Sequence, residues 1–171
     1  MSAALQPVLY SYDPEREAVW VDATPFRAHV TQLLGAGLTV SVIAQLAGVR
    51  ERSVQHLAHG REGRRVQRIC RDTGRRLLRI TTMEARAVRF RPVPVRLSRE
   101  RLRTMVGAGW TVDRLADQTE LGIDEVARIV GRGSATCSQL CALKVAAGYQ
   151  RWIAQQEIGQ QGVGHNCPAV A

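Results

Sequence analysis

Aromatic residues are scarce in this chain, with 3 Trp, 3 Tyr and 2 Phe among 171 residues. Hydrophobic residues still make up 45%, so a core must be aliphatic, built from Leu, Val, Ile and Ala, and such a composition leans helical. No run approaches the roughly 18 apolar residues that a membrane span requires. Met1–Tyr10 lacks a basic start and a long apolar stretch, so no signal peptide is expected. Four cysteines without a secretion signal point to reduced thiols rather than a disulfide framework. These absences make a soluble, cytoplasmic protein with no membrane partner the expectation. Catalytic signatures are missing too. There is no Gly-x-x-x-x-Gly-Lys phosphate loop, no His-Glu-x-x-His and no outstanding acidic trio. No enzyme activity, no catalytic residue and no cofactor are expected.

Lysine is nearly absent as well. Of 24 basic residues only Lys144 is not arginine, and the planar arginine fork suits phosphates and guanine edges. The formal charge is +9. Residues 50–103 hold 17 of the basic residues and 5 of the 15 acidic ones, so the segment carries an excess of 12 positive charges while the rest of the chain is slightly acidic. Charge concentrated in this way is the footprint of a polyanion-binding surface.

An internal repeat organises the chain. Gly35-Ala36-Gly37-Leu38-Thr39-Val40 recurs as Gly107-Ala108-Gly109-Trp110-Thr111-Val112, an offset of 72 residues. The same offset pairs Ala44 with Ala116, Val54 with Val126 and Leu57 with Ile129. In the first copy Thr24-Pro25 reads as an N-cap and first helical residue. Thr39 caps a helix to about Ala47, Gly48 turns the chain, a helix covers about Glu51–His59, and Gly60 ends it. A fourth helix is expected over Asp72–Ile80 with Leu77 and Leu78 inward. In the second copy Ser98 is expected to cap Arg99–Val106 and Thr111 to cap Val112–Thr119. Helices over about Ile123–Val130 and Ser138–Gln156 follow.

The fold expected is all-α, with two small helix-turn-helix domains joined by a basic linker. Residues 1–20 form an arm and a short helix from Asp13 to Trp20. Residues 21–80 form the first domain, 81–95 a proline-containing linker, 96–156 the second domain and 157–171 a disordered tail. The linker is expected to be extended at Pro92 and Pro94 and helical at most over Met83–Phe90. Its roughly fifteen residues span about 50 Å when extended.

Val40–His59 carries the functional signal. Ala44 supplies the small residue at a helix crossing, Gly48 the positive φ of a tight turn, and Ile43, Val49, Val54 and Leu57 the core positions. This is the pattern of a helix-turn-helix whose second helix enters the major groove; the bland alternative is a structural helical hairpin. Candidates for base edges are Arg50, Glu51, Arg52, Ser53, Gln55 and His56, with Asp124 and Arg128 in the second unit. Candidates for the sugar–phosphate backbone are Thr39, His59, Arg61, Arg64, Arg65 and Arg68, the linker residues Arg86, Arg89 and Arg91, and Thr111 and Arg132. In the second unit Glu120 replaces the turn glycine, and Gly122 is positioned to supply an altered turn. That unit is open to three readings: a second DNA reader, a dimerisation unit, or a docking surface. Cys137, Cys141, His165 and Cys167 offer four zinc-ligand types, but the first two lie one turn apart at a helix start, where cysteine packs as a small hydrophobe. No metal is expected.

The stretch from Val21-Asp22-Ala23-Thr24-Pro25 to Leu78 resembles phage and actinobacterial helix-turn-helix proteins. With the second unit, residues 20–155 resemble the immunity repressors of cluster A mycobacteriophages in size, in the arginine-rich first unit and in the second helical unit. The resemblance implies a repressor that maintains lysogeny in a bacterial host. Such a repressor shuts down an early lytic promoter and binds scattered asymmetric stoperator sites as a monomer. Val40–His59 would be its groove-reading motif, and Val112–Gly131 would read a neighbouring segment. Two different readers on one chain suit a non-palindromic double-stranded site. Two other readings stay open: a sigma-like promoter adaptor whose second unit docks polymerase, and a recombination accessory protein.

Overall fold

A computed structural model describes residues 19–131 and 133–161. The described residues are mostly helical, with nine helices and four three-residue strands. Two series of elements follow one another in the same order. The first is β1 (Trp20–Asp22), α1 (Thr24–Gly35), α2 (Val40–Ala47), α3 (Glu51–His59), β2 (Arg68–Cys70) and α4 (Arg71–Leu78). A short helix, α5 (Thr82–Ala87), leads to the second: β3 (Pro92–Pro94), α6 (Arg96–Gly107), α7 (Val112–Thr119), α8 (Ile123–Val130), β4 (Thr136–Ser138) and α9 (Gln139–Gln161). β1 pairs antiparallel with β2, Val21 opposite Ile69, and β3 with β4, Val93 opposite Cys137.

Local chemistry sets the boundaries. The Thr39 hydroxyl accepts from the Val42 N–H and caps α2. Gly48 ends that helix in the left-handed region at φ 62°, and Gly60 follows α3 at φ 85°. A side chain at Gly60 would put its Cβ 2.6 Å from the Arg64 carbonyl oxygen, so both φ and space require glycine there. Thr111 repeats the Thr39 cap on Arg114.

Several expectations are corrected. Thr24 does not cap α1. It is the first helical residue, after Ala23 at the cap position, and the Asp22 carboxylate accepts from its N–H at 3.1 Å and from its hydroxyl at 3.0 Å. Those bonds, the backbone one foremost, hold the Asp22 carboxyl below its ordinary pKa. Ser98 is not a cap either: α6 starts at Arg96, and Ser98 is buried within it, its hydroxyl bonded to the Cys137 thiol. Leu77 is buried, but its neighbour Leu78 is half exposed, because α4 ends there and presents one face only. Trp20 belongs to strand β1 rather than to a helix. The rest of the expected arm and short helix, residues 1–18, and residues 162–171 of the expected tail lie outside the described residues. Residues 157–161, expected in the tail, belong instead to α9.

Two aliphatic clusters form the core. The first holds Val30, Leu33, Ile43, Val54, Leu57 and Leu77; the second holds Leu102, Met105, Leu115, Val126, Ile129 and Val145. All of these have 3% or less of their surface exposed, and each full burial is worth about 1.5–3 kcal/mol before entropy is counted. α9 belongs to both clusters. Leu140 and Leu143 pack on the first, while Cys141, Val145 and Trp152 lie in the second.

The expected linker segment is folded. Thr81 caps α5 through the Glu84 N–H, and Ala85 and Val88 are buried in the first cluster. The Leu140 N–H donates to the Val88 carbonyl at 2.9 Å and the Gln139 N–H to that of Arg91 at 2.8 Å. Only Pro92–Pro94 is extended, as half of a strand pair. Among the described residues no single helix is long and apolar enough to cross a membrane.

Candidate nucleic-acid interface

Helix α3 turns Val54 and Leu57 into the core and leaves the opposite face to solvent. Arg52, Gln55 and His59 are exposed there, with Arg50 exposed at the cap position; Ser53 and His56 are half-buried along one edge. Ser53 and His56 line a groove of about 350 Å³ whose far wall is made by Trp20, Arg61, Arg68 and Thr73. Glu51 faces the other way. Its carboxylate takes two bonds from Arg151 of α9, at 3.1 and 3.3 Å, so this candidate is already engaged inside the protein.

The chain after α3 makes a tight hairpin. Arg61 and Arg64 exchange both backbone hydrogen bonds, at 2.8 and 2.9 Å. Between them Glu62 (φ 51°) and Gly63 (φ 75°) both take positive φ, the signature of a type I′ turn. Arg61, Arg64 and Arg65 are exposed around it, beside His59. Arg68 is exposed on β2 and donates to the Trp20 carbonyl at 3.3 Å.

Helix α4 adds a basic surface that the motif reading passed over. Arg71, Arg75, Arg76 and Arg79 are all exposed on or next to it. Arg76 pairs with Asp72 at 2.9 Å and donates to the Gly48 carbonyl at 3.2 Å, tying α4 to the turn between α2 and α3. The available signal was the charge excess over residues 50–103, which includes these arginines. What hid them was distance along the chain from the motif.

The linker arginines are dispersed. Arg86 is exposed on α5. Arg89 lies against Gly37, where an added Cβ would sit 2.7 Å from its Nη2, and Arg91 donates to the Gln139 side chain at 3.2 Å. Thr39 and Thr111 are occupied as caps.

The second series has the same turn as the first. Glu120 itself takes φ 56°, ψ 34°, close to the 62°, 37° of Gly48. Gly122 is extended at φ −67°, ψ 148°, so the expected altered turn is absent. On α8, Asp124 and Arg128 are exposed, with Arg128 3.4 Å from Glu125. Ile123 beside them is also exposed. Arg132 lies outside the described residues. The α8 face is therefore nearly neutral, unlike that of α3.

Cys137 and Cys141 are buried. The Cys141 thiol donates to Glu125 at 2.7 Å. Burial first, and that carboxylate second, push its pKa up to about 11. Burial also raises Cys137. His165 and Cys167 lie outside the described residues. Among the described residues no group of three or more His, Cys, Asp or Glu could hold a metal ion. No protein-family model, no curated protein and no solved structure matches the chain.

Proposed function

We propose that this protein is a sequence-specific double-stranded DNA-binding repressor built from two helix-turn-helix units, residues 21–80 and 96–156, acting as a monomer on a non-palindromic site. The observation that carries the reading is the outward face of α3. Arg50, Arg52, Gln55 and His56 sit on a short helix after a glycine turn, able to reach base edges. Exposed arginines at the 61–65 turn and on α4 flank it where phosphates would lie. The function is binding rather than catalysis, with no cofactor, and it belongs in the bacterial cytoplasm where the duplex is. A phage immunity repressor that maintains lysogeny fits this arrangement.

One observation favours a second reading for part of the chain. The α8 face is nearly neutral and exposes Ile123, which suits docking of a protein partner, as in a sigma-like or recombination accessory factor, better than gripping phosphate. Selection of bound sites from a random duplex library tests both. A long asymmetric site supports two readers, and a short one supports one reader and a docking unit. With the selected site in hand, Arg52→Ala should weaken specific binding by about 10-fold or more while changing random-duplex binding little. Arg64→Ala with Arg65→Ala should weaken both and reduce the log K against log salt slope by about 0.9 for each phosphate no longer neutralised. Equal weakening on both duplexes for Arg52→Ala would remove the base-reading role.

A further inference from the structure

Arg151, at the middle of α9, is largely buried, with 28% of its side chain exposed. Its Nη1 donates to both Glu51 carboxylate oxygens, at 3.1 and 3.3 Å. Its Nη2 donates to the Gln118 carbonyl at 2.5 Å and lies 3.5 Å from the Glu120 carboxylate. Glu51 is the first residue of α3. Gln118 is near the end of α7, and Glu120 is the turn residue leading into α8. One guanidinium thus touches the start of one outward-facing helix and the turn that launches the other.

Other contacts brace the same junction. The Ser41 hydroxyl donates to the Glu120 carboxylate at 3.4 Å, and the Gln45 amide to the Gln150 side chain at 2.5 Å. The Lys144 ammonium donates to the Glu120 carbonyl at 2.7 Å. Leu140 and Leu143 of α9 pack on the first cluster. Only Arg151, however, joins α3 directly to the α7–α8 turn among these contacts. Its planar fork serves three acceptors from two separate nitrogens, a fixed spread that the single nitrogen of a lysine does not reproduce.

We propose that Arg151 is a positioning residue that fixes the spacing and rotational phase of α3 relative to α8, so that the recognised sequence has an invariant separation between its two subsites. The proposal rests on the reading of α3 and α8 as DNA-reading helices. An inserted base pair shifts the far subsite by about 3.4 Å and rotates it by about 35°. Two helices held at a braced junction, with one guanidinium as the contact that joins them directly, cannot follow that displacement, whereas a pair joined only by a slack connector can.

The experiment uses the full chain, its selected site, and duplexes with one or two base pairs inserted between the subsites mapped by footprinting. Binding is read by fluorescence anisotropy. Wild type should lose about 30-fold or more in affinity on a single insertion, in the range of a mismatched base pair or worse. Arg151→Gln should bind the parent site more weakly, yet lose only about 3-fold on insertion, with Arg151→Lys between the two. Glu51→Gln releases the other end of the same contact and should also shrink the insertion penalty, which keeps the test open should Arg151→Gln fail to fold. The penalty is a ratio within each variant, so a merely destabilising substitution does not move it. A sensitive wild type with equally sensitive Arg151→Gln and Glu51→Gln overturns the role of Arg151 alone. A wild type indifferent to insertion overturns the two-reader interpretation, and this proposal with it.

Discussion

Glu120 is a glutamate in a conformation that glycine adopts freely, and the cost can be measured. Its φ of 56° matches the 62° of Gly48 at the equivalent turn. The left-handed region costs a residue with a Cβ about 1 kcal/mol relative to glycine. Against this, the Glu120 carboxylate contacts Ser41 at 3.4 Å and Arg151 at 3.5 Å. Both ion-pair side chains are partly exposed, so such contacts together contribute up to about 1 kcal/mol. Glu120→Gly removes strain and contacts together and should leave stability within about 0.5 kcal/mol of wild type. Glu120→Ala keeps the strain without the contacts and should destabilise by about 0.5–1 kcal/mol. The two variants should differ by about 1 kcal/mol, close to 3 °C in Tm for a chain of this size. Gly48→Ala should cost the same about 1 kcal/mol, since the nearest atom to an added Cβ is the Arg76 Nη1 at 3.9 Å and crowding plays no part. Urea midpoints at constant m, checked by calorimetry, measure all three. Coincident melting of Glu120→Gly and Glu120→Ala would refute the strain argument outright.

Two further outcomes follow from packing and burial. Gly74→Ala places a Cβ 2.6 Å from the Phe26 ring, so it should destabilise by about 1–2 kcal/mol despite the better helix propensity of alanine; Phe26→Leu in the same chain should recover part of that stability in a double-mutant cycle on urea midpoints. The Cys141 thiol, raised to about 11 from 9.0, contributes stability that is complete below pH 9 and is lost as the pH climbs toward 11, by about 2 kcal/mol there. Cys141→Ala should flatten that alkaline decline in Tm, and an unchanged pH profile would show that the thiol is not held protonated by the fold.

Much of the helical layout is legible in the sequence because its signals are local. Thr39, Gly48, Gly60 and Thr111 act on residues within four positions of themselves, and apolar spacing marks the buried faces of α2, α3, α7 and α8. What escapes is settled by partners far along the chain. The strand pairs are three residues long, too short for an alternating pattern, and each is completed by a segment more than 40 residues away. Ser98 resembles a cap until Cys137 claims its hydroxyl. Thr24 resembles a cap, but it lies inside the helix, its N–H held by the Asp22 carboxylate at the end of β1. α9 has apolar residues on two sides, so no single stripe announces that it packs against both clusters. The candidate interface divides along the same line. Arg52, Gln55 and His59 follow from helix phase alone, whereas the engagement of Glu51 by Arg151, a hundred positions away, does not.

The strand pairs also show where the two halves differ in length. β1 and β3 stand 72 positions apart, but β2 and β4 only 68. The first half is therefore four residues longer from the start of its third helix to its closing strand, and that interval contains the arginine-bearing turn at 61–64. Because the strands clip the ends of each half together, a hairpin can be gained or lost at this point without disturbing the layers beneath it. The tip is thus the part of the molecule freest to be lengthened, recharged or grafted, and transplanting Arg61–Arg64 between α8 and β4 would give the second half the same local charge.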